Sequence, residues 1–273
     1  MPVAEALRDE VIAIAREAAT AILQVYDTGF DVERKADNSP LTAADLAAHR
    51  CIVDRLERLT PDIPVLSEES SDSIPTLVRR TWSRLWVVDP LDGTREFVKR
   101  NGEFTVNIAL VEEGEVVFGV IQAPVTGALW HGTRGRGAFR RDGDRDVAVR
   151  TRTPAQAPLR VAASRSHRDP RTEALMARIA SGMGVDSEPV ALGSSLKFCR
   201  LAEGSMDVYP RFGPTSEWDT AAGQAIVEAA GGRVLDPHGR PLRYNQRDTL
   251  LNGDFIALGD PALPWRQWLG EHA

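Results

Sequence analysis

Two carboxylates stand three residues apart in Trp86-Val87-Val88-Asp89-Pro90-Leu91-Asp92-Gly93-Thr94. The apolar run 86–88 reads as a short buried strand that ends at Asp89, and Pro90 fixes a turn while withholding a backbone donor. Such a turn aims Asp89 and Asp92 at one point, and Gly93 lets the backbone come close to a ligand. If a helical turn starts here, the amides of Gly93 and Thr94 form an anion site suited to phosphate. Carboxylates repel a phosphate unless divalent cations lie between them, and hard oxygen ligands favour Mg²⁺. Taken alone, the same segment also reads as a turn and helix cap.

Three further acidic elements weaken that second reading. Glu68-Glu69 follows the short apolar run Val65–Ser67, although two acids at a strand end are often only solvated surface. Asp219 opens a helix, where an N-cap role contributes about 1 kcal/mol. The small residues after it, Thr220-Ala221-Ala222-Gly223, point instead to something packed close to the helix start. Thr42-Ala43-Ala44-Asp45 has the form of a capping box, with Asp45 able to turn inward and bond a hydroxyl. Glu217 is read as a surface acid or an outer group and is left outside the site.

These residues need elements to position them. Leu7, Val11, Ala18 and Ile22 stripe a helix over 3–25, and a polar loop covers 31–40. A second helix starts near Thr42, carries Leu46, Leu56 and Leu59, and is stopped by Pro61 and Pro64. Strands are expected at 104–111 and Glu115–Gln122, joined by a Glu-Gly turn, then at Leu159–Ala163, 208–209, 234–235 and Phe255–Leu258. Helices are expected at about 170–181 and 195–203, and over 219–230, where Gly231-Gly232 stop the last. The mixture is α/β or α+β. A Thr-, Pro- and Ala-rich stretch near 150–158 suggests subdomains at 1–157 and 158–273.

Composition narrows the class. The 273 residues are 42% hydrophobic and 26% charged, with a net charge of −6. That balance argues against a nucleic-acid polymer as partner. The Arg-rich stretch 134–152 is interleaved with Asp142, Asp144 and Asp146 and reads as a solvated hairpin or loop. No apolar run reaches the ~20 residues of a membrane span. Asp9, Glu10 and Glu17 interrupt any signal-peptide pattern, so a cytoplasmic protein is expected. Cys51 and Cys199 lie far apart, each on an apolar helical face, and read as small buried hydrophobes.

Taken together, Asp45, Glu68-Glu69, Asp89 to Thr94 and Trp218 to Ala222 resemble the lithium-sensitive, magnesium-dependent phosphomonoesterases. That superfamily includes inositol monophosphatase, fructose-1,6-bisphosphatase and 3'(2'),5'-bisphosphate nucleotidase. Order and spacing agree from about residue 5 to residue 258. The resemblance implies a layered α-β-α-β-α sandwich. It implies that Glu68, Asp89 and the Leu91 carbonyl hold a first Mg²⁺, that Asp89, Asp92 and Asp219 hold a second, and that Glu68 helps hold a third, weaker ion. Asp45 and Thr94, with Glu68, orient and deprotonate the attacking water, while Gly93 and Thr94 face the phosphoryl group.

Ser164 to His167, Gly193 to Phe198 and Tyr209 to Pro214 look closest to the bacterial 3'(2'),5'-bisphosphate nucleotidases of the CysQ type. By position, Ser194, Lys197 and Arg211 hold a 5'-phosphate and His167 lies near the sugar or base. The implied substrate is 3'-phosphoadenosine 5'-phosphate, giving AMP and phosphate. Without that pattern Lys197 reads as a solvated helix residue, Arg211 as a surface ion-pair partner and His167 as structural. A broader inositol or fructose-1,6-bisphosphate phosphatase and a non-catalytic nucleotide or metal sensor are the alternatives. A homodimer is left open.

Overall fold

A computed structural model describes residues 3–28, 32–34, 40–163, 169–183 and 186–269. The chain begins with α1 (Glu5–Tyr26), which buries Val11, Ile14, Ala15, Ala18 and Ile22 along one stripe. Within the expected loop, β1 (Val32–Arg34) and β2 (Pro40–Thr42) pair antiparallel. The cap of the next helix explains the second of these: Thr42 must be extended to serve as an N-cap, and an extended residue can pair. Helix α2 (Ala43–Leu59) then packs beside α1 through Ala48, Ile52 and Leu56.

Next come β3 (Val65–Ser67), a 3₁₀ turn over Glu68–Ser73, α3 (Thr76–Arg79), β4 (Arg84–Asp92) and α4 (Thr94–Val98). Five hairpin-linked strands follow: β5 (Thr105–Glu112), β6 (Glu115–Gln122), β7 (Leu129–Thr133), β8 (Gly137–Asp142) and β9 (Arg145–Val149). They form one seven-stranded sheet in the order β3-β4-β5-β6-β7-β8-β9, with β3 parallel to β4 and every other pair antiparallel. The Arg-rich stretch is the β8–β9 hairpin at its edge.

The second half supplies β10 (Leu159–Ala163), α5 (Pro170–Met183), β11 (Ser187–Ala191), α6 (Leu196–Ala202), β12 (Val208–Arg211) and β13 (Thr215–Ser216). It ends with α7 (Glu217–Ala229), β14 (Arg233–Leu235), β15 (Leu251–Asn252), β16 (Phe255–Leu258) and α8 (Trp265–Leu269). Its main sheet has the order β11-β10-β12-β16-β14, and β13 pairs β15 beside it.

The period-two alternation of β4 shows how the layers form. Trp86 and Val88 join the core of α1 and α2, whereas Leu85 and Val87 face α6 and α7. Beyond α6 and α7 lies the five-stranded sheet, and its outer face is covered by α5 and α8 through Leu175, Ile179, Trp265 and Trp268. The architecture is therefore α-β-α-β-α. Helix α7 can sit between two sheets because nothing bulky intervenes. A Cβ at Gly119 would lie 2.6 Å from the Ala222 carbonyl oxygen, and one at Gly132 would lie 2.7 Å from the Ile226 Cα. This close approach accounts for the small residues after Asp219.

Two boundaries differ from expectation. Strand β4 runs on past Asp89 to Asp92, with an irregular register between them. Pairing resumes where Asp92 meets Thr105, so Pro90, which has no N–H to give, falls in the irregular stretch. Helix α7 starts at Glu217 with Ser216 as N-cap, so Asp219 is the third helical residue rather than the cap.

Candidate metal and phosphate site

The irregular end of β4 and the first turn of α7 meet. One carboxylate oxygen from each of Asp89, Asp92 and Asp219 lies within 4.8 Å of the other two. Asp89 is 1% exposed, and its Oδ1 accepts the Leu91 N–H at 3.0 Å. Asp219 Oδ2 accepts the Ser216 N–H at 2.6 Å, which fixes the side chain to the helix start. Glu68 opens the 3₁₀ turn and lies outside that tight trio, yet its charge acts on all three.

Burial and like charge make these carboxyls hold their protons more tightly than they would in water. Asp89 is held well above the carboxylate range by burial, then by Glu68, Asp92 and Asp219. Burial pushes Asp92 up to about 6 against the pull of Lys197 and the Ser195 amide. Asp219 is pushed up to about 7 by burial and by Asp92. Three crowded oxygen donors with uncompensated charge suit a hard divalent cation of the Mg²⁺ kind.

Asp45 and Thr94 meet at the side of this cluster. Asp45 is 1% exposed, and its Oδ2 accepts both the Thr42 amide at 2.8 Å and the Thr42 hydroxyl at 2.6 Å. Its Oδ1 faces Thr94 Oγ1 at 3.3 Å, and the same hydroxyl lies 3.3 Å from the Leu91 carbonyl oxygen. Between them, Gly93 adopts φ +93°, and a Cβ there would lie 3.2 Å from both the Glu103 carbonyl oxygen and Ser194 Cβ. A left-handed backbone in so narrow a gap requires glycine.

The same site also carries basic groups. Ser194 has φ +47°, and its carbonyl oxygen accepts Lys197 Nζ at 2.8 Å. Lys197 is 7% exposed and sits 5.3 Å from the Tyr209 ring centre, so it is not a solvated helix residue. Burial lowers its ammonium to about 8, opposed mainly by Asp92. Arg211 leaves the end of β12 and donates to the Pro214 carbonyl oxygen at 3.3 Å. Asp92, Gly93, Ser194, Lys197, Arg211 and Asp219 line one cavity of about 200 Å³. A larger, more apolar cavity of about 860 Å³ adjoins it, sharing Lys197, Tyr209 and Arg211 and reaching Met176, Pro189 and Phe212. His167 lies outside the described residues.

Some positioning residues escaped the sequence reading. Ser195 N–H donates to Asp92 Oδ2 at 2.6 Å, and its hydroxyl meets Asn107 Oδ1 at 2.8 Å and Thr105 Oγ1 at 2.7 Å. The available signal was polar Thr105 and Asn107 on one face of an otherwise apolar strand. Glu217, read as a surface acid or outer group, is fully buried: Oε2 accepts the Asn245 amide at 2.7 Å, and Oε1 faces Arg247 at 3.3 Å. Asn245 also bonds Arg79, at 3.0 Å from the guanidinium and 2.6 Å to its carbonyl oxygen, so α7 is tied to α3. Cys199 is buried as expected, whereas Cys51 is only half-buried, and burial raises the thiols of both. Among the described residues no helix is long and apolar enough to cross a membrane.

Comparison with known proteins gives consistent matches. The sequence profile of the inositol monophosphatase family matches residues 4–262. A relative from Escherichia coli O157:H7, named 3'(2'),5'-bisphosphate nucleotidase CysQ, is 50% identical over 250 residues, covering 90% of this chain and 97% of the relative. One of the same name from Haemophilus influenzae is 35% identical over 264 residues, 96% of each chain. The crystal structure of CysQ from Bacteroides thetaiotaomicron matches with a TM-score of 0.78 at 44% identity, covering 91% of this chain and 95% of that one.

Proposed function

The chain belongs to the inositol monophosphatase family, and on that premise we propose that it is a Mg²⁺-dependent 3'(2'),5'-bisphosphate nucleotidase that converts 3'-phosphoadenosine 5'-phosphate to AMP and phosphate. The observation that carries this reading is one cavity lined by acids and cations together. Asp92 and Asp219 line it with Lys197 and Arg211. A substrate with a single phosphate needs only the acids and their metal ions. The cationic side chains suit a ligand with a second anionic group. The named activity of relatives at 50% and 35% identity supports the same choice.

Asp89, Asp92 and Asp219, with Glu68 and the Leu91 carbonyl, would hold two Mg²⁺ ions, and Glu68 would help hold a third. When bound, the ions neutralise the carboxylates, polarise the phosphoryl group and make the attacking water more acidic. The protein's own groups do the rest. Thr94 Oγ1 stands between Asp45 Oδ1 and the Leu91 carbonyl oxygen, so it can accept the water proton while passing its own to Asp45. The amides of Gly93 and Thr94 face the phosphoryl oxygens as charge builds there. Ser194, Lys197 and Arg211 take the 5'-phosphate, and the nucleoside extends into the larger cavity.

A phosphate-release panel tests this. With Mg²⁺, kcat/KM for 3'-phosphoadenosine 5'-phosphate is expected to exceed that for inositol 1-phosphate and fructose 1,6-bisphosphate by about 100-fold, or ~2.7 kcal/mol of transition-state binding. EDTA abolishes all three. Equal efficiency across the panel would remove the nucleotide, and Mg²⁺-independent release would remove the metal cluster.

A further inference from the structure

Arg95 follows Thr94 in the first turn of α4, and its side chain lines both cavities. It is exposed, and its side chain has no hydrogen-bond or ion-pair partner among the described residues. The other two cations at this junction are partly engaged already. Lys197 Nζ donates to the Ser194 carbonyl oxygen at 2.8 Å, and Arg211 donates to that of Pro214 at 3.3 Å. A guanidinium offers five donors in a planar fork that matches two phosphate oxygens at once, so an unengaged one beside two other cations is a natural anion contact.

Acids also line the two cavities. Glu96 lines the smaller cavity, and both Glu96 and Glu103 act on Lys197. Glu103 Oε2 is occupied by the Gly193 N–H at 2.8 Å. In the larger cavity Asp169 is paired with Arg171 at 3.5 Å, and Glu173 is a further lining acid. Arg95, Lys197 and Arg211 are the three cations that line both cavities. A ligand reaching from the aspartate cluster into the larger cavity must pass that junction.

We infer that Arg95 contacts the second phosphate of the substrate and sets the preference for bisphosphorylated over monophosphorylated nucleotides. The inference rests on the nucleotidase reading above and adds a residue to it. Lys197 and Arg211 meet the second phosphate from α6 and β12, while Arg95 meets it from the element that also carries Thr94. The contact thus couples recognition of one phosphate to placement of the other.

The test compares wild type, Arg95→Ala and Arg95→Lys on 3'-phosphoadenosine 5'-phosphate and on 3'-AMP, which lacks the 5'-phosphate. A charged hydrogen bond of this kind corresponds to about ten- to hundredfold in KM. Arg95→Ala is expected to raise KM for the bisphosphate by that factor, to raise it at least about tenfold less for 3'-AMP, and to leave kcat for both within about threefold. Arg95→Lys recovers part of the loss, because it restores charge without the fork. Equal losses on both substrates would overturn the inference. Calorimetric binding of AMP and of adenosine provides a readout without turnover: Arg95→Ala should weaken AMP alone. If wild type fails to hydrolyse the bisphosphate, the nucleotidase reading falls, and this binding pair still decides whether Arg95 holds a 5'-phosphate. Unchanged AMP binding in the variant would sink it.

Discussion

At the start of α2, extended Thr42 occupies the N-cap, and Asp45, three residues on, accepts its amide at 2.8 Å. At the start of α7, extended Ser216 and Asp219 repeat the arrangement at 2.6 Å. Both acids also enjoy the positive end of a helix. Their surroundings then diverge. Asp45 is met by donors on both oxygens, from Thr42 and Thr94. Asp219 is met by one amide and then by the carboxylates of Asp89 and Asp92. Dipoles satisfy the first charge and leave it as a proton acceptor. The second charge is unmet and calls for a cation. The local motif fixes where each acid sits, and the neighbours brought by the fold decide what it does.

The largest effect that separates the two is expected from Asp219→Asn. Asparagine can still accept the Ser216 amide but removes the charge, so kcat/KM should fall by about 10³-fold or more, ~4 kcal/mol of transition-state stabilisation. Stability should move the other way in EDTA. Asp92 and Asp219 have folded values of about 6 and 7, above their ordinary 3.8. The folded chain therefore holds protons more tightly than the unfolded one. Their penalty is absent below about pH 4, grows as pH rises through those values and is complete above about pH 7. Without metal, Asp219→Asn should melt higher than wild type at about pH 8, and Mg²⁺ should raise the wild-type Tm more at about pH 8 than at about pH 5. A Mg²⁺ shift independent of pH would erase the contrast drawn here.

Asp45→Asn should be milder and different in kind. Loss of a general base costs about 10²-fold in kcat, with KM nearly unchanged. Because the cluster itself is intact, the Mg²⁺-induced rise in Tm should persist. If Asp45→Asn abolished that rise instead, Asp45 would belong with the metal ligands and the two helix starts would serve one purpose.

The same pair of helices marks what the sequence could disclose. Asp89, Asp92 and Thr94 are neighbours in the chain, and the Thr42–Asp45 capping box spans four residues, so their chemistry was readable as short spacings, whereas Asp219 was read as the cap itself and its box with Ser216 was missed. Period-two and helical patterns likewise exposed α1, α2, β5, β6 and most of α7. The partners of Asp92 and Glu217 were not readable. Ser195 reaches Asp92 across 103 positions, Asn245 reaches Glu217 across 28, and Arg79 reaches Asn245 across 166. A lone Glu beside a metal-type Asp reads as surface because its burial is created by those distant groups. The run of β4 through Pro90 was hidden for a related reason: the pairing that extends the strand comes from Thr105, on the far side of α4.

The smallest effects test the caps themselves. Thr42 accepts the Ala44 amide at 3.2 Å through its hydroxyl and gives that hydroxyl to Asp45 at 2.6 Å. Thr42→Ala should cost about 1 kcal/mol of stability, near 2–4 °C in Tm for a chain of this size. It should also lower kcat, since Asp45 loses a donor that orients it toward Thr94. The tie to Asp219 at α7 runs through the Ser216 amide, which alanine retains. Ser216→Ala should therefore sit at the lower end of cap losses, about 0.5 kcal/mol, with the Mg²⁺ concentration for half-maximal activity unchanged. The decisive number is the ratio of the two kcat losses. A Thr42 loss no greater than the Ser216 loss would mean that the cap hydroxyl does not orient Asp45, and that the backbone alone holds both acids in place.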